Sequence, residues 1–384
     1  MMESFIRTEQ QRDLIAKLEE LIPVFQKREP QLDIQGSFPF DNLEDLKKID
    51  YTKLTLPKEF GGHGLGLYEY ILAQETIAVG CGSTALALGW TNGTILEYVE
   101  SNHWKPEAAK LVLQAIANGG IINTAASEKN AGSPTRGALP TTTVIKDGNE
   151  LIITGEKIFT SAAPALTHFI ITATNKDNEV VSVLVPSNTK GISLIDSWDS
   201  LAMRGTASQT LILDHVRVPS TYILQTSEQK SKGTKGWLLH IPACYIGIAR
   251  AARNYAMQFA TSYIPTSLGK PIAEAPNIKH MIGEMELTLT TARHMLYGTI
   301  ERYEHCDDKT AFKEPLEVTK IAVTDAAMKV VDLAMRIVGA RALSESNPMH
   351  RYFLNVRAGL YNPPMTDVIQ TKLASEAIDE FLNK

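Results

Sequence analysis

The period of the hydrophobic pattern changes twice along the chain, and this feature limits the possible folds more than any other. Residues 1–121 show the spacing of amphipathic helices, residues 122–228 show the two-residue alternation of strands, and residues 229–384 return to helical spacing. Helix-rich ends around a β segment predict an α+β protein, mainly α, with three domains that have these bounds.

The middle segment has the pattern of antiparallel strands joined by tight turns. TTTVIKDGNELIITGEKIFT contains two β-branched runs around Asp147-Gly148, which is typical of a hairpin. HFIITATNKDNEVVSVLVP repeats the arrangement around a polar turn. QTLILDHVRVP alternates at Leu211, Leu213, His215 and Arg217. Sustained strands with short turns predict a small β-barrel or β-sandwich domain.

The helical segments differ in how much of the helix surface is apolar. Residues 70–99 are apolar on nearly every side, which predicts a buried helix or helix pair. Further on, Asn277 is a plausible N-cap for a long helix. Its apolar stripe consists of Ile278, Met281, Ile282, Met285, Leu289, Ala292 and Leu296. A second helix has Pro315 in its first turn and ends near Gly339, and a last one begins near Thr366. The C-terminal segment is therefore predicted to be a four-helix bundle.

Composition excludes several classes of protein. The chain has 384 residues, a formal net charge of −5 and no run of 18 apolar residues. These values give no electrostatic footprint for nucleic acid and predict no membrane insertion. The three cysteines are far apart in sequence and match neither a disulfide framework nor a metal-ligand spacing. We therefore expect a cytoplasmic protein without a metal site.

Four segments, in this order along the chain, resemble motifs of the acyl-CoA dehydrogenase family. They are LPKEFGGHGLGLYEY, ASEKNAGSPTRG, TGEKIFTSAA and LAMRGTASQTLILDHVRVP. Each motif is weak alone, but together they cover nearly the whole chain in matching secondary structure. The resemblance implies a helical domain, a β domain and a helical bundle, bound FAD, and a homodimer or homotetramer.

The resemblance also implies which residues contact the flavin. Ala126, Ser127, Gly132 and Ser133 would contact the flavin or the thioester arm of the substrate. Phe159 would cover one face of the isoalloxazine ring, and Thr160 and Ser161 would hydrogen-bond its edge. Without the resemblance, an aromatic side chain in a strand and nearby hydroxyls would be read as core and capping residues. Arg204 could meet a phosphate or carboxylate, or form a surface ion pair.

In the C-terminal segment the resemblance includes substitutions at the expected flavin contacts. MRIVGARAL retains Gly339 but has Arg336 where the family has a glutamine that touches the adenosine part of the flavin across the dimer. In YIPTSLGKPI the family's pyrophosphate-binding arginine falls on Pro265, and Lys270 could supply a charge instead. FAD is therefore expected, with FMN as the alternative.

The stretch GLYNPPMTDVIQ stands where the family's dehydrogenases carry a glutamate that removes the α-proton of an acyl thioester. A gapless match puts Pro364 at that position, and proline has neither a carboxylate nor an N–H. Asp367 is the nearest acid and could act as the base, or it could complement the dipole of a helix that begins there. An alternative family position for the glutamate falls near Trp237, with His240 one turn on.

Three functions are compatible with these residues. The first is acyl-CoA dehydrogenase-type α,β-desaturation, with an electron-transfer flavoprotein as the acceptor. The second is a flavin monooxygenase that receives reduced flavin from a partner reductase, with His240 as the proton donor. The third is a flavin- or thioester-binding protein without catalysis, because a fold does not determine a function.

Overall fold

The computed structural model describes residues 5–129, 138–227 and 235–383. Its first part is helical and contains α1 (Glu9–Gln35), α2 (Phe40–Lys48), α3 (Leu67–Gly80), α4 (Gly82–Ser101) and α5 (Pro106–Ala117). The apolar segment 70–99 forms the helix pair α3 and α4, as its composition predicts, with the break at Cys81. Both helices are buried on nearly all sides, which explains why neither shows a polar face.

The middle part is a β domain. Its strands are β1 (Ile122–Ala125), β2 (Thr143–Asp147), β3 (Glu150–Thr160), β4 (His168–Thr174), β5 (Val180–Pro186), β6 (Ile192–Ile195), β7 (Gln209–Pro219) and β8 (Ile223–Gln225). They form one sheet in the order β6-β7-β3-β2-β4-β5-β8, with β1 paired to β4. The predicted hairpin is confirmed, since β2 and β3 pair across Asp147 and Glu150.

The predicted alternation along β7 is correct only for its first half. Leu211 and Leu213 are buried, but His215 and Arg217 are exposed, and Val216 and Val218 take the inward positions. The pairing of β3 with β7 shifts register between Ile153 and Gly155, and His215 has a φ of 50°. A bulge of this kind moves every later side chain to the other face of the strand, and the sequence alternation does not reveal it.

The C-terminal part is a helical bundle of α6 (His240–Ser262), α7 (Pro276–Glu304), α8 (Lys313–Val338), α9 (Met349–Arg357) and α10 (Thr366–Leu382). The predicted start of α10 and end of α8 are confirmed. The N-cap prediction for Asn277 is wrong, because α7 begins at Pro276 and is preceded by Ala275. Proline at a first helical position, with its fixed φ, moves the start one residue earlier.

Polar contacts join the bundle to the other two parts. Glu75 of α3 is fully buried and meets Arg250 of α6 at 3.1 Å and Arg293 of α7 at 2.8 Å. Asn355 of α9 accepts a hydrogen bond of 2.7 Å from the backbone N–H of Met203, which precedes β7. One large apolar core runs through the first helices, the sheet and the bundle. A search of the described residues for a helix long and apolar enough to cross a membrane finds none.

Candidate functional site

The C-terminal end of β3 turns an aromatic side chain outward. The pairing of β3 with β7 shifts register a second time, between Lys157 and Thr160, and Phe159 has a φ of 56°. The Phe159 ring is 61% exposed and lies nearly perpendicular to the Trp198 ring, with ring centroids 6.0 Å apart. A bulge that re-aims an apolar ring into the open favours a ligand contact over a core position.

Backbone strain is concentrated around this ring. Phe159 and Ala162 in one segment, and Met203 and Ala207 in another, all have a positive φ although none is glycine. Such conformations cost about 1–3 kcal/mol each and persist where the surrounding structure enforces them, often at ligand sites. The segments 159–162 and 203–208 are held together by a 2.8 Å hydrogen bond from the Ala162 N–H to the Thr206 carbonyl.

The same two segments carry a hydroxyl cluster, which consists of Thr160, Ser161, Thr206 and Ser208. Ser161 Oγ and Thr206 Oγ1 each lie 2.8 Å from Ser208 Oγ. The Asn123 side chain on β1 donates to the Ser161 carbonyl at 3.1 Å. Thr160 Oγ1 is buried and has no hydrogen-bond partner in the described structure. A buried hydroxyl without a partner is unfavourable, so this cluster fits a bound group that offers polar edge atoms, as a flavin ring does.

Behind the cluster lies a buried ion pair that the sequence analysis did not assign. Lys157 Nζ is 2.5 Å from Glu128 Oε1, and both side chains are almost fully buried. The Glu128 carboxylate also accepts the backbone N–H groups of Thr141 and Thr142. Burial alone would raise the pKa of Glu128, but the hydrogen bonds from Lys157 and the two threonines lower it to about 2. Glu128 and Lys157 both stand in motifs that carry the family resemblance. Their presence in these motifs was the one sequence signal that could have identified them as site residues.

Ala126 and Ser127 connect this ion pair to the hydroxyl cluster. Both are half-buried at the end of β1, and the Ser127 carbonyl accepts the Ile158 N–H at 2.9 Å. They therefore run alongside the segment that presents Phe159. The other two residues expected in this loop, Gly132 and Ser133, lie outside the described residues.

Arg204 has a role that the sequence analysis did not predict. Its Nε donates to the Asp33 carbonyl at 2.6 Å and its Nη1 to the Ser200 carbonyl at 2.9 Å. The guanidinium thus caps the C-terminal end of α1 instead of forming a surface ion pair. It ties the N-terminal helices to the strained segment 203–208.

The residues expected to reach the flavin from the bundle lie on its exposed surface. Arg336 is exposed near the end of α8, and Gly339 follows that helix with a φ of 71°. Lys270 pairs with Glu274 at 3.2 Å, and both are about half exposed. Contact with a flavin held by a second copy of the chain stays a prediction for all three.

The loop between α9 and α10 was predicted to contain the catalytic base or a helix start. Asp367 lies in the first turn of α10 and is exposed. Pro364 is half-buried in the loop. The inward polar side chain of this loop is Asn362, whose Oδ1 accepts a hydrogen bond from the Tyr245 hydroxyl of α6. This pair has no signal in the sequence, because the two residues are 117 positions apart and no pattern links them.

His240 lies in an aromatic box at the start of α6. The rings of Trp90, Trp237 and Tyr70 lie at centroid distances of 4.7, 5.9 and 6.1 Å from its imidazole. Full burial lowers the pKa of His240 to about 3, so the ring is neutral at physiological pH. Neither ring nitrogen has a hydrogen-bond partner in the part of the chain that the structure describes. In the same part, no group of three His, Cys, Asp or Glu side chains is arranged to hold a metal ion.

Comparison with known proteins agrees with this architecture. Family models described as the N-terminal, middle and C-terminal domains of acyl-CoA dehydrogenase match residues 8–120, 123–216 and 239–361. A curated protein named putative acyl-CoA dehydrogenase YdbM, from Bacillus subtilis (strain 168), is 41% identical over 381 residues, which cover 98% of this chain and 100% of the relative. The chain belongs to the acyl-CoA dehydrogenase family.

Solved structures show the same fold. The butyryl-CoA dehydrogenase of Megasphaera elsdenii has a TM-score of 0.85 at 19% identity, with 97% of this chain and 99% of that chain covered. FMN-bound TdsC from Paenibacillus sp. A11-2 has a TM-score of 0.84 at 22% identity, with coverage of 93% and 95%. At these identities the likeness establishes the fold alone.

Proposed function

We propose that the protein is a flavin-dependent oxidoreductase that desaturates an acyl thioester between its α and β carbons. The observation that carries the proposal is the strained hydroxyl cluster beside the exposed Phe159 ring, because it offers both a flat apolar contact and polar edge partners. The proposal is further supported by the full-length relative at 41% identity, which is named as a putative acyl-CoA dehydrogenase.

Each residue of the site has a definite part in this proposal. The flavin, FAD or FMN, supplies the hydride acceptor when bound. Phe159 would cover the ring, and Thr160 and Ser161 would bind its polar edge. Ala126 and Ser127 would line the adjoining thioester arm. Asp367 is the only acid between residues 358 and 375, so we assign removal of the α-proton to it.

A flavin monooxygenase is the second candidate, and one observation favours it. The loop presents Asn362 inward, and the nearest acid in the sequence, Asp367, lies exposed in the first turn of α10. This arrangement suits chemistry without a carboxylate base. The expected role of His240 as a proton donor does not suit this burial, because a pKa of about 3 keeps the ring neutral and without an acidic imidazolium proton. The third candidate, a flavin- or thioester-binding protein without catalysis, requires only the binding site and no catalytic base.

The partners follow from the reaction. Desaturation would use an acyl-CoA and pass electrons to an electron-transfer flavoprotein, in fatty acid metabolism, whereas monooxygenation would require a flavin reductase. We further propose a cytoplasmic homodimer or homotetramer, in which the exposed Arg336 and Gly339 of one copy meet the flavin of another.

Anaerobic addition of acyl-CoAs of different chain lengths to the flavin-loaded protein separates the candidates. We expect the flavin absorbance to bleach with at least one acyl-CoA, and Asp367→Asn to slow bleaching at least tenfold. Asp379→Asn, on the exposed surface of the same helix, is the matched control and should leave the rate within twofold.

The opposite outcomes are equally informative. Flavin that stays oxidised with every acyl-CoA, together with oxygen consumption when a reductase is added, would establish the second candidate. A protein that takes up flavin and does neither would be the third.

A further inference from the structure

The loop between α9 and α10 is held in place from below by two buried side chains. The loop consists of residues 358–365, and it begins with the short helical turn Ala358–Leu360. Lys320 of α8 donates through Nζ to the Gly359 carbonyl at 3.0 Å. Tyr245 of α6 donates through its hydroxyl to Asn362 Oδ1. Lys320 is 1% exposed and Tyr245 is 0% exposed, so the bond to Gly359 is buried and the bond to the half-buried Asn362 is partly shielded from water.

Packing around Gly359 fixes the same part of the loop. A Cβ at this position would lie 2.5 Å from Thr324 Cγ2 and 2.9 Å from Tyr245 Cδ2. Contacts this short would force the neighbours to move, so the loop backbone lies directly on α6 and α8. The half-buried Asn362 follows three residues later, while Tyr361 between them is 75% exposed.

The contact with Tyr245 determines the orientation of the Asn362 amide. A buried hydroxyl that only accepted a hydrogen bond would leave its own hydrogen unpaired, which is unfavourable. Tyr245 therefore donates to Oδ1, and the amide NH₂ group is directed away from Tyr245. In the part of the chain that the structure describes, Nδ2 has no hydrogen-bond partner.

The charge on Lys320 is unfavourable at this buried position. Burial lowers the pKa of Lys320 to about 8, against a smaller opposite effect of Asp325. Because this pKa lies below the ordinary lysine value, the buried charge opposes folding at neutral pH, and stability rises as the pH passes from about 8 towards the unfolded value. The buried hydrogen bond from this charged group to the Gly359 carbonyl fixes the position of the loop backbone.

We propose that Asn362 is the ligand-facing group of this loop and donates a hydrogen bond through Nδ2 to the acyl carbonyl oxygen, with Tyr245 and Lys320 as its positioning residues. The inference rests on the proposed function for the acyl thioester. It gives a neutral donor to the loop in which the family's dehydrogenases carry an acid, and so separates carbonyl binding from proton removal. A neutral amide can polarise a carbonyl but cannot remove a proton.

The test uses the flavin-loaded protein, butanoyl-CoA as the probe, and hydrogen exchange of peptides that cover residues 358–365. Asn362→Asp keeps the shape but replaces the donor with a carboxylate, so we expect its Kd for butanoyl-CoA to rise at least tenfold at pH 8. Tyr245→Phe and Lys320→Met should raise the Kd about fivefold and speed exchange of the loop, with flavin content unchanged.

Two controls separate positioning from a structural role. Tyr361→Phe removes a hydroxyl from the exposed side of the same loop and should keep the Kd within twofold. Lys320→Met should unfold at the same urea concentration as the wild type or a higher one, although it binds butanoyl-CoA more weakly. Lys313→Met, on the exposed surface of α8, should change neither the urea concentration at which the protein unfolds nor its Kd for butanoyl-CoA.

Several outcomes would overturn the inference. A wild-type Kd in Asn362→Asp would show that the amide does not face the ligand. Unchanged hydrogen exchange of the loop in Tyr245→Phe and Lys320→Met would show that Tyr245 and Lys320 do not position the loop. This measurement decides the positioning role whether or not butanoyl-CoA binds. Absence of binding by any acyl-CoA to the wild-type protein would contradict the proposed function as well as the carbonyl contact.

Discussion

Glu128 and Lys157 show how single residues support the site without touching a ligand. The pair stands behind the segment that presents Phe159, and Glu128 holds the start of β2 through the N–H groups of Thr141 and Thr142. Each partner would be unfavourable alone, because an unpaired charge in a buried position loses its hydration. The geometry of the bulge that presents Phe159 therefore depends on both charges.

Removal of Lys157 should destabilise the fold strongly. Lys157→Met leaves the buried Glu128 carboxylate without its cation, which typically costs about 3–5 kcal/mol. Urea unfolding at pH 7 measures the loss, and Lys146→Met on the exposed face of β2 is the matched control. A loss below about 1 kcal/mol would mean that the pair is more hydrated than its burial indicates.

The difference between wild type and Lys157→Met should depend on pH. The pKa of Glu128 is about 2 in the folded protein and below its ordinary value, so its stabilising contribution is complete above pH about 4.5 and is lost as the pH falls towards 2. In Lys157→Met the carboxylate takes up a proton more readily, which relieves its burial. We therefore expect the gap in unfolding free energy to narrow between pH 4.5 and 3. A constant gap would contradict this account.

At the scale of elements, the contact between α3 and α6 joins the first domain to the bundle. Gly247 of α6 lies directly against the α3 backbone, where an added Cβ would stand 2.4 Å from the Glu75 carbonyl oxygen and 2.5 Å from Ala78 Cβ. Only glycine permits this approach. Glu75 is also the residue whose carboxylate meets Arg250 and Arg293, so the same contact aligns three helices.

Gly247→Ala should therefore weaken the joint between the domains. Overpacking of this kind typically costs about 1–3 kcal/mol, and here the neighbouring atom is backbone and cannot rotate away. Gly298→Ala is the control, because a Cβ there meets nothing within 4 Å and alanine favours a helix interior by up to about 1 kcal/mol. Thermal unfolding of both variants checks the prediction that the melting temperature falls in Gly247→Ala and rises slightly in Gly298→Ala. Equal changes in melting temperature for the two variants would show that α3 and α6 can move apart to accommodate the added Cβ without loss of stability.

The sequence predicted elements whose signals are local. The hairpin at Asp147-Gly148 and the start of α10 at Thr366 follow from turn and cap chemistry within a few residues. The bulges in β3 and β7 were not predicted, since a register shift leaves the alternation of residue types intact. Yet one of these bulges turns the Phe159 ring outward. The exposed position of this ring therefore could not be predicted from the residue pattern.

Contacts between distant residues were missed for a related reason. Glu128 and Lys157 are 29 positions apart, and Tyr245 and Asn362 are 117 apart. Neither separation has a periodic signature, and only the folded chain brings these residues together. Arg204 was expected to meet a phosphate or carboxylate or to form a surface ion pair, but it binds the Asp33 carbonyl near the end of α1, which no side-chain pattern encodes.

At the scale of the whole molecule, the proposed reaction requires that segments 159–162 and 203–208 form the flavin site. The most direct measurement is the dissociation constant of FAD and of FMN for the flavin-free protein and its variants, by quenching of flavin fluorescence. We predict that Phe159→Ala and Ser161→Ala weaken flavin binding at least tenfold, while Ser182→Ala, within β5, stays within twofold. Unchanged binding in both site variants would place the flavin elsewhere and contradict the account.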